Sequence, residues 1–193
     1  MIKKTFLNIL LLSCICLNLL AQDTIKYTSP FDFPLLLSAN FGELRPNHFH
    51  NGIDIKTKGT VGHPVRSIAD GYVSRVAVSH GGYGQAIYIT HPDGHTSVYG
   101  HILSFYPEVE KYIREYQYKN ETFVCYLYPE PGRFKVKKGD IIAMSGNEGS
   151  SGGPHLHLEI RKTGTDEYLD PLPYFKKLIK DSKAPVASYV GFY

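Results

Sequence analysis

Residues 152–161, GGPHLHLEIR, set two histidines one residue apart in a stretch with strand-like alternation. Successive side chains of a strand point to opposite faces, so His155, His157, Glu159 and Arg161 share one face and Leu156, Leu158 and Ile160 the other. The leucine face reads as core. The histidine face then looks into a cleft or into water, with two imidazoles about 7 Å apart at the backbone. One can bind a metal while its neighbour works beside it. A second such pair, His48-Phe49-His50, shows that the pattern alone is weak evidence. His50, however, is followed by Asn51-Gly52-Ile53-Asp54. Asn-Gly is a turn dipeptide, which rules out a shared helix face for His50 and Asp54. In a straight strand their Cα atoms would lie roughly 13 Å apart, but a bend at Gly52 aims both at one point.

With His157 added, the set is two histidines and one aspartate, with a fourth position left to water. That is the ligand count of a catalytic zinc, since a structural zinc closes all four positions. Zn²⁺ would bring the pKa of a water there down to about 7 and polarise a carbonyl. The chain has no H-E-x-x-H, so the base must come from elsewhere. His101 and His155 are the histidines in suitable strand contexts for that work.

The elements that must position these residues read as strands. Candidates are 35–41, 64–68, 71–78, 85–91, 95–101, 122–128, 140–145 and 155–161, separated by Gly, Asn, Asp and Pro clusters. His91-Pro92-Asp93-Gly94-His95 is a hairpin turn, which pairs the strands on either side. Val109, Tyr112, Ile113 and Tyr116 fall at helical spacing, and Pro107 suits a first turn, so 107–118 is a helix covering a sheet edge or face. The stretch 128–139 reads as a loop, 174–180 as a short helix, and 181–193 as the start of a further strand or an exposed tail. The fold class is therefore mainly β, an antiparallel sheet with one inserted helix.

The 193 residues are 42% apolar and 20% charged, enough for one globular domain with a core. Residues 1–21 read as a secretory signal peptide: Lys3 and Lys4, an apolar run short of a membrane span, then Ala21. A lipid-modified Cys14 is the alternative. Cleavage leaves 22–180 as the domain, Cys125 as the remaining cysteine without a disulfide partner, and no stable membrane insertion. It also takes the formal charge from +3 to +1, too near neutral to indicate nucleic acid or an anionic membrane as partner.

Four strings occur in order: FGELRPNHFHNGIDI, VRSIADGYVSRV, GYGQAIYITHPDGHTSVYGHI and VKKGDIIAMSGNEGSSGGPHLHLEIR. Over roughly 38–161 the chain resembles the lysostaphin/LytM-type zinc metalloendopeptidases, carrying the combined H-x-x-x-D, Y-x-H and G-x-H-x-H signature. The resemblance implies that His50, Asp54 and His157 bind one Zn²⁺, and that His101 and His155 flank the activated water and stabilise the oxyanion. It implies a groove above the antiparallel sheet, peptidoglycan peptide stems as substrate, and an exported location in the periplasm, envelope or medium. Residues 102–135 stand where most relatives carry a shorter connection. A non-catalytic module that binds or activates another cell-wall hydrolase is the alternative, against which stand five intact positions.

Other residues read more simply. Tyr99 lines the site, Arg45 and Asn40 lie in the groove, and Glu159 is an exposed carboxylate or, less simply, orients a ligand. Gly81-Gly82-Tyr83-Gly84 is a hairpin or groove-wall loop, and Cys125 a small buried side chain. His48, His63, His80, His91 and His95 belong to turns and surface.

Overall fold

The computed structural model describes residues 27–180. The expected signal segment and the expected strand or tail at 181–193 lie outside the described residues. Among the described residues there are twelve strands. They are β1 (Leu37–Ala39), β2 (Ile53–Lys56), β3 (Pro64–Arg66), β4 (Gly71–Val78), β5 (Gln85–Thr90) and β6 (His95–Gly100). There follow β7 (Ile102–Phe105), β8 (Cys125–Leu127), β9 (Lys135–Val136), β10 (Ile141–Ser145), β11 (His155–Lys162) and β12 (Glu167–Leu169). Among the described residues there are also two helices, α1 (Pro107–Asn120) and α2 (Leu172–Phe175).

Nine strands form one antiparallel sheet in the order β1-β2-β11-β6-β5-β4-β8, with β12 also on β11 and β9 also on β4. A smaller sheet, β3-β10-β7, packs against one of its faces. Apolar residues fill the space between, among them Ile53, Ile55, Leu156, Leu158 and Ile160 from the large sheet and Val65, Ile102 and Ile142 from the small one. Leu156, Leu158 and Ile160 are wholly buried, as the alternation in 155–161 requires. The opposite face of the large sheet carries the histidines.

The expected antiparallel β architecture is present, with differences that have physical causes. β2 follows a bend too short to show alternation, and β7 is four residues, so neither stands out in the sequence. The 128–139 loop holds two residues, Lys135 and Val136, that pair with Tyr72 and Gly71. The second helix begins at Leu172, earlier than 174, behind Pro171 and an Asp170 carboxylate that accepts the Leu172 N–H. α1 buries Val109 and Ile113 beside β7 and β8 and runs two residues past the expected end, to a left-handed cap at Glu121. Cys125 is free and buried. Among the described residues no helix is long and apolar enough to cross a membrane.

Candidate metal centre and active site

Register brings the key residues together. On β11, His157 lies opposite Asp54 of β2 on one side and Gly100 of β6 on the other. His50 enters from the preceding turn because the chain bends at Gly52. That bend needs glycine: a Cβ there would run into the Leu158 carbonyl oxygen and come within 3.0 Å of Glu159 Cγ.

His50 Nε2, Asp54 Oδ1 and His157 Nδ1 converge. The separations are 3.0 Å from His50 to Asp54, 3.0 Å from His50 to His157 and 2.9 Å from His157 to Asp54. All three residues are buried. The other ring nitrogens are committed elsewhere: His50 Nδ1 donates to the Asn40 carbonyl at 2.7 Å, and His157 Nε2 to Glu159 Oε1 at 2.9 Å. With both rings neutral, two imidazole lone pairs and a carboxylate oxygen face one another with no donor between them. Such a cluster calls for a cation. Tetrahedral zinc, with bonds of about 2.0–2.1 Å, separates its ligands by about 3.3 Å, so the donor set fits. His50, Asp54 and His157 can hold a metal ion with one side open.

The surroundings hold these groups in place. Asp54 Oδ2 accepts from Arg45 at 3.2 Å, and Asn40 orients His50, so both expected groove residues act on the cluster itself. Glu159 is not exposed, contrary to the simpler sequence expectation. It is wholly buried, and besides His157 it binds Arg161 at 2.7 Å and the Tyr83 hydroxyl. An unpaired carboxylate could not be buried so; the Arg161 guanidinium and the His157 N–H make it possible. Tyr83, which the sequence offered only as part of a loop, stacks on His157 with ring centroids 5.2 Å apart. Gly100 leaves the room for it, since a Cβ there would sit 3.1 Å from the Tyr83 ring.

His155 and His101 stand next to this cluster, their rings 4.7 Å apart. His155 Nδ1 donates to the Gly153 carbonyl at 2.8 Å, leaving Nε2 3.5 Å from Asp54 Oδ1. His101 Nδ1 donates to the Glu148 carbonyl at 2.7 Å, which frees its Nε2 in the same way. His101 is not within a strand. It occupies the turn between β6 and β7 at a φ of 57°, left-handed and uncommon for a residue with a Cβ. Its N–H is held by the Tyr83 carbonyl at 2.9 Å. Tyr99 does not line the site. It points into the core, fully buried, with its hydroxyl accepting the Ile68 N–H.

Without a bound cation His157 holds a proton instead. Burial disfavours the His157 imidazolium, but hydrogen bonds to Asp54 and Glu159 outweigh it and raise the pKa to about 9. Burial works against Asp54 ionisation too, yet bonds to His155, His157 and His50 hold the carboxyl far below its usual range. His155 is raised by Asp54 and the Gly153 carbonyl against the effect of burial. His101 is lowered to about 4, chiefly by burial, and is neutral at pH 7. Of the remaining histidines, His48 is exposed and bonded to Asn47, and His91 is buried away from the site.

Known proteins resemble this chain across the same region. An uncharacterized metalloprotease of Haemophilus influenzae is 33% identical over 143 residues, 74% of this chain and 24% of its own length. A DD-carboxypeptidase/endopeptidase of Neisseria meningitidis is 32% identical over 116 residues, 60% of this chain and 20% of its own. The chain thus spans no more than about a quarter of these relatives. Among solved structures, the catalytic domain of the prophage-encoded M23 protein EnpA from Enterococcus faecalis superposes with a TM-score of 0.54 at 27% identity, covering 75% of this chain and 95% of that one. The sequence profile of peptidase family M23 matches residues 48–118 and 131–171, which include all five of the residues described above. With more than half of its length matched, the chain belongs to peptidase family M23.

Proposed function

We propose that this chain is an exported zinc endopeptidase that hydrolyses peptide cross-links of bacterial peptidoglycan. The observation that carries the reading is the convergence of His50 Nε2, Asp54 Oδ1 and His157 Nδ1 to within 3.0 Å, with their other polar atoms already bonded. The names of relatives, an endopeptidase among them, support the substrate class. The apolar leader at 1–21 supports export.

In this reading His50, Asp54 and His157 hold the ion, Glu159 fixes the His157 ring, and Arg45 fixes the second Asp54 oxygen. A zinc ion held there would supply Lewis acidity to a carbonyl and to a water. His155 and His101 present free Nε2 atoms from one side. Their Nδ1–H groups are tied to backbone carbonyls, so neither ring must reorient as it works. A neutral ring accepts the proton of the attacking water at Nε2, a protonated ring donates its Nε2–H to the oxyanion, and the proton then passes to the leaving amine.

The test measures bound zinc and chelator-sensitive release of peptides from purified peptidoglycan. His157→Ala loses both metal and activity, whereas His155→Ala loses activity and keeps most of its zinc. Equal zinc loss in the two variants would reassign their roles. A zinc-free protein that instead stimulates a separate amidase would replace the enzyme with an activator.

A further inference from the structure

Beyond Tyr83, on the histidine-bearing face of the large sheet, lies a cavity of about 540 Å³ lined by Arg75, Tyr88, Tyr126 and Arg161. Arg75 of β4 pairs across the sheet with Tyr88, Tyr88 with Val98, and Val98 with Glu159, so the pocket shares a row with the carboxylate that anchors His157. The two arginines differ in one respect. Arg161 is matched by Glu159 at 2.7 Å. Arg75 has no ion pair among the described residues, and its buried Nε finds no acceptor. Its guanidinium instead lies over three rings, 4.8 Å from Tyr88, 5.7 Å from Tyr126 and 5.5 Å from Tyr128.

Aromatic faces hold a guanidinium in one plane but leave its charge and its N–H edge uncompensated. A carboxylate matches that edge with two parallel hydrogen bonds. Tyr126 and Tyr128 belong to residues 119–130, the stretch that the family match leaves out, so this corner is built in part by a segment outside that match. Both tyrosines are exposed, at 52% and 66%, and Tyr126 lines the cavity. From β11 to β4 is three strand spacings of about 4.8 Å, about 14 Å, which an extended peptide covers in about four residues.

We propose that the Arg75 pocket is a subsite for a carboxylate group on the substrate peptide, about four residues from the bond that is cut. This rests on the peptidase reading above. The free charge of Arg75 selects the ligand, and the tyrosines hold the guanidinium ready for it.

Calorimetric titration of the purified chain with an uncross-linked stem tetrapeptide, which offers no cross-link to cut, tests the subsite without turnover. The probe carries either free carboxylates or carboxamides. The free-carboxylate peptide binds about tenfold more tightly, and Arg75→Gln brings the ratio to about one. Arg75→Lys, which keeps the charge and loses the fork, falls between. A ratio near one in the unmodified protein overturns the subsite, as does a preference that survives Arg75→Gln. Tighter binding of an N-acetylglucosamine oligomer than of the carboxylate peptide would make the tyrosines a sugar platform and overturn it too. Cross-linked peptides report separately: cleavage without the binding preference leaves the hydrolase and removes the subsite, and the preference without cleavage does the reverse.

Discussion

Replacing Glu159 by glutamine keeps the shape of the side chain and removes its charge, at a position with no solvent exposure. The carboxylate accepts from His157 Nε2 at 2.9 Å and from Arg161 Nε and Nη2 at 2.7 Å, and also from Tyr83. A glutamine has one acceptor oxygen, so its amide N–H must face another donor. Arg161, itself buried, keeps a 3.4 Å bond to the Tyr83 hydroxyl, a 3.8 Å contact with the largely exposed Asp166 and the faces of Tyr88 and Tyr168. Breaking a buried ion pair from one side costs about 3–5 kcal/mol, and the ring contacts put this case near the lower end, about 3 kcal/mol. Urea denaturation of metal-free protein at pH 7 measures it. Zinc affinity, read by competition with a chromophoric chelator, falls about 10–100-fold because the His157 ring loses its anchor. In the double variant with Arg161→Met the uncompensated charge is gone, so it recovers more than about 1 kcal/mol of the single loss. A single-variant loss below about 1 kcal/mol, or a double variant that merely adds the two losses, would refute the argument that this pair is coupled and buried at a cost.

Two further outcomes are expected. Gly52→Ala forces a methyl group against the Leu158 carbonyl, so the β2–β11 ladder opens and stability drops by about 2 kcal/mol with weakened zinc binding; an unchanged melting temperature would contradict it. His91, bonded to the Asp70 carbonyl and to Ser97, is pushed below its usual 6.5 mainly by burial. The unfolded chain takes up the proton first, so stability is complete above about pH 6.5 and declines as pH falls toward the lowered folded value. His91→Gln flattens the melting temperature over that window, and an equal decline in the variant would assign the effect to other groups.

Strand alternation is a local property, and for that reason the sequence alone divided 155–161 into a leucine face and a histidine face and located the bend at Gly52. The pairing of these pieces is not local. Nothing in the string states that β2 lies beside β11, or that the register sets Asp54 opposite His157; a slip of one residue would turn the imidazole to the other face. Tyr99 shows the limit from the opposite direction. Two residues before His101, it should share a face with it, but the strand ends at Gly100 and a left-handed turn swings His101 back over the site while Tyr99 stays in the core. Glu159 and Tyr83 likewise acquire their parts from Arg161, Gly100 and the loop that carries Tyr83 across the sheet. Burial of a charge depends on partners distant in the chain, so only the folded arrangement decides it.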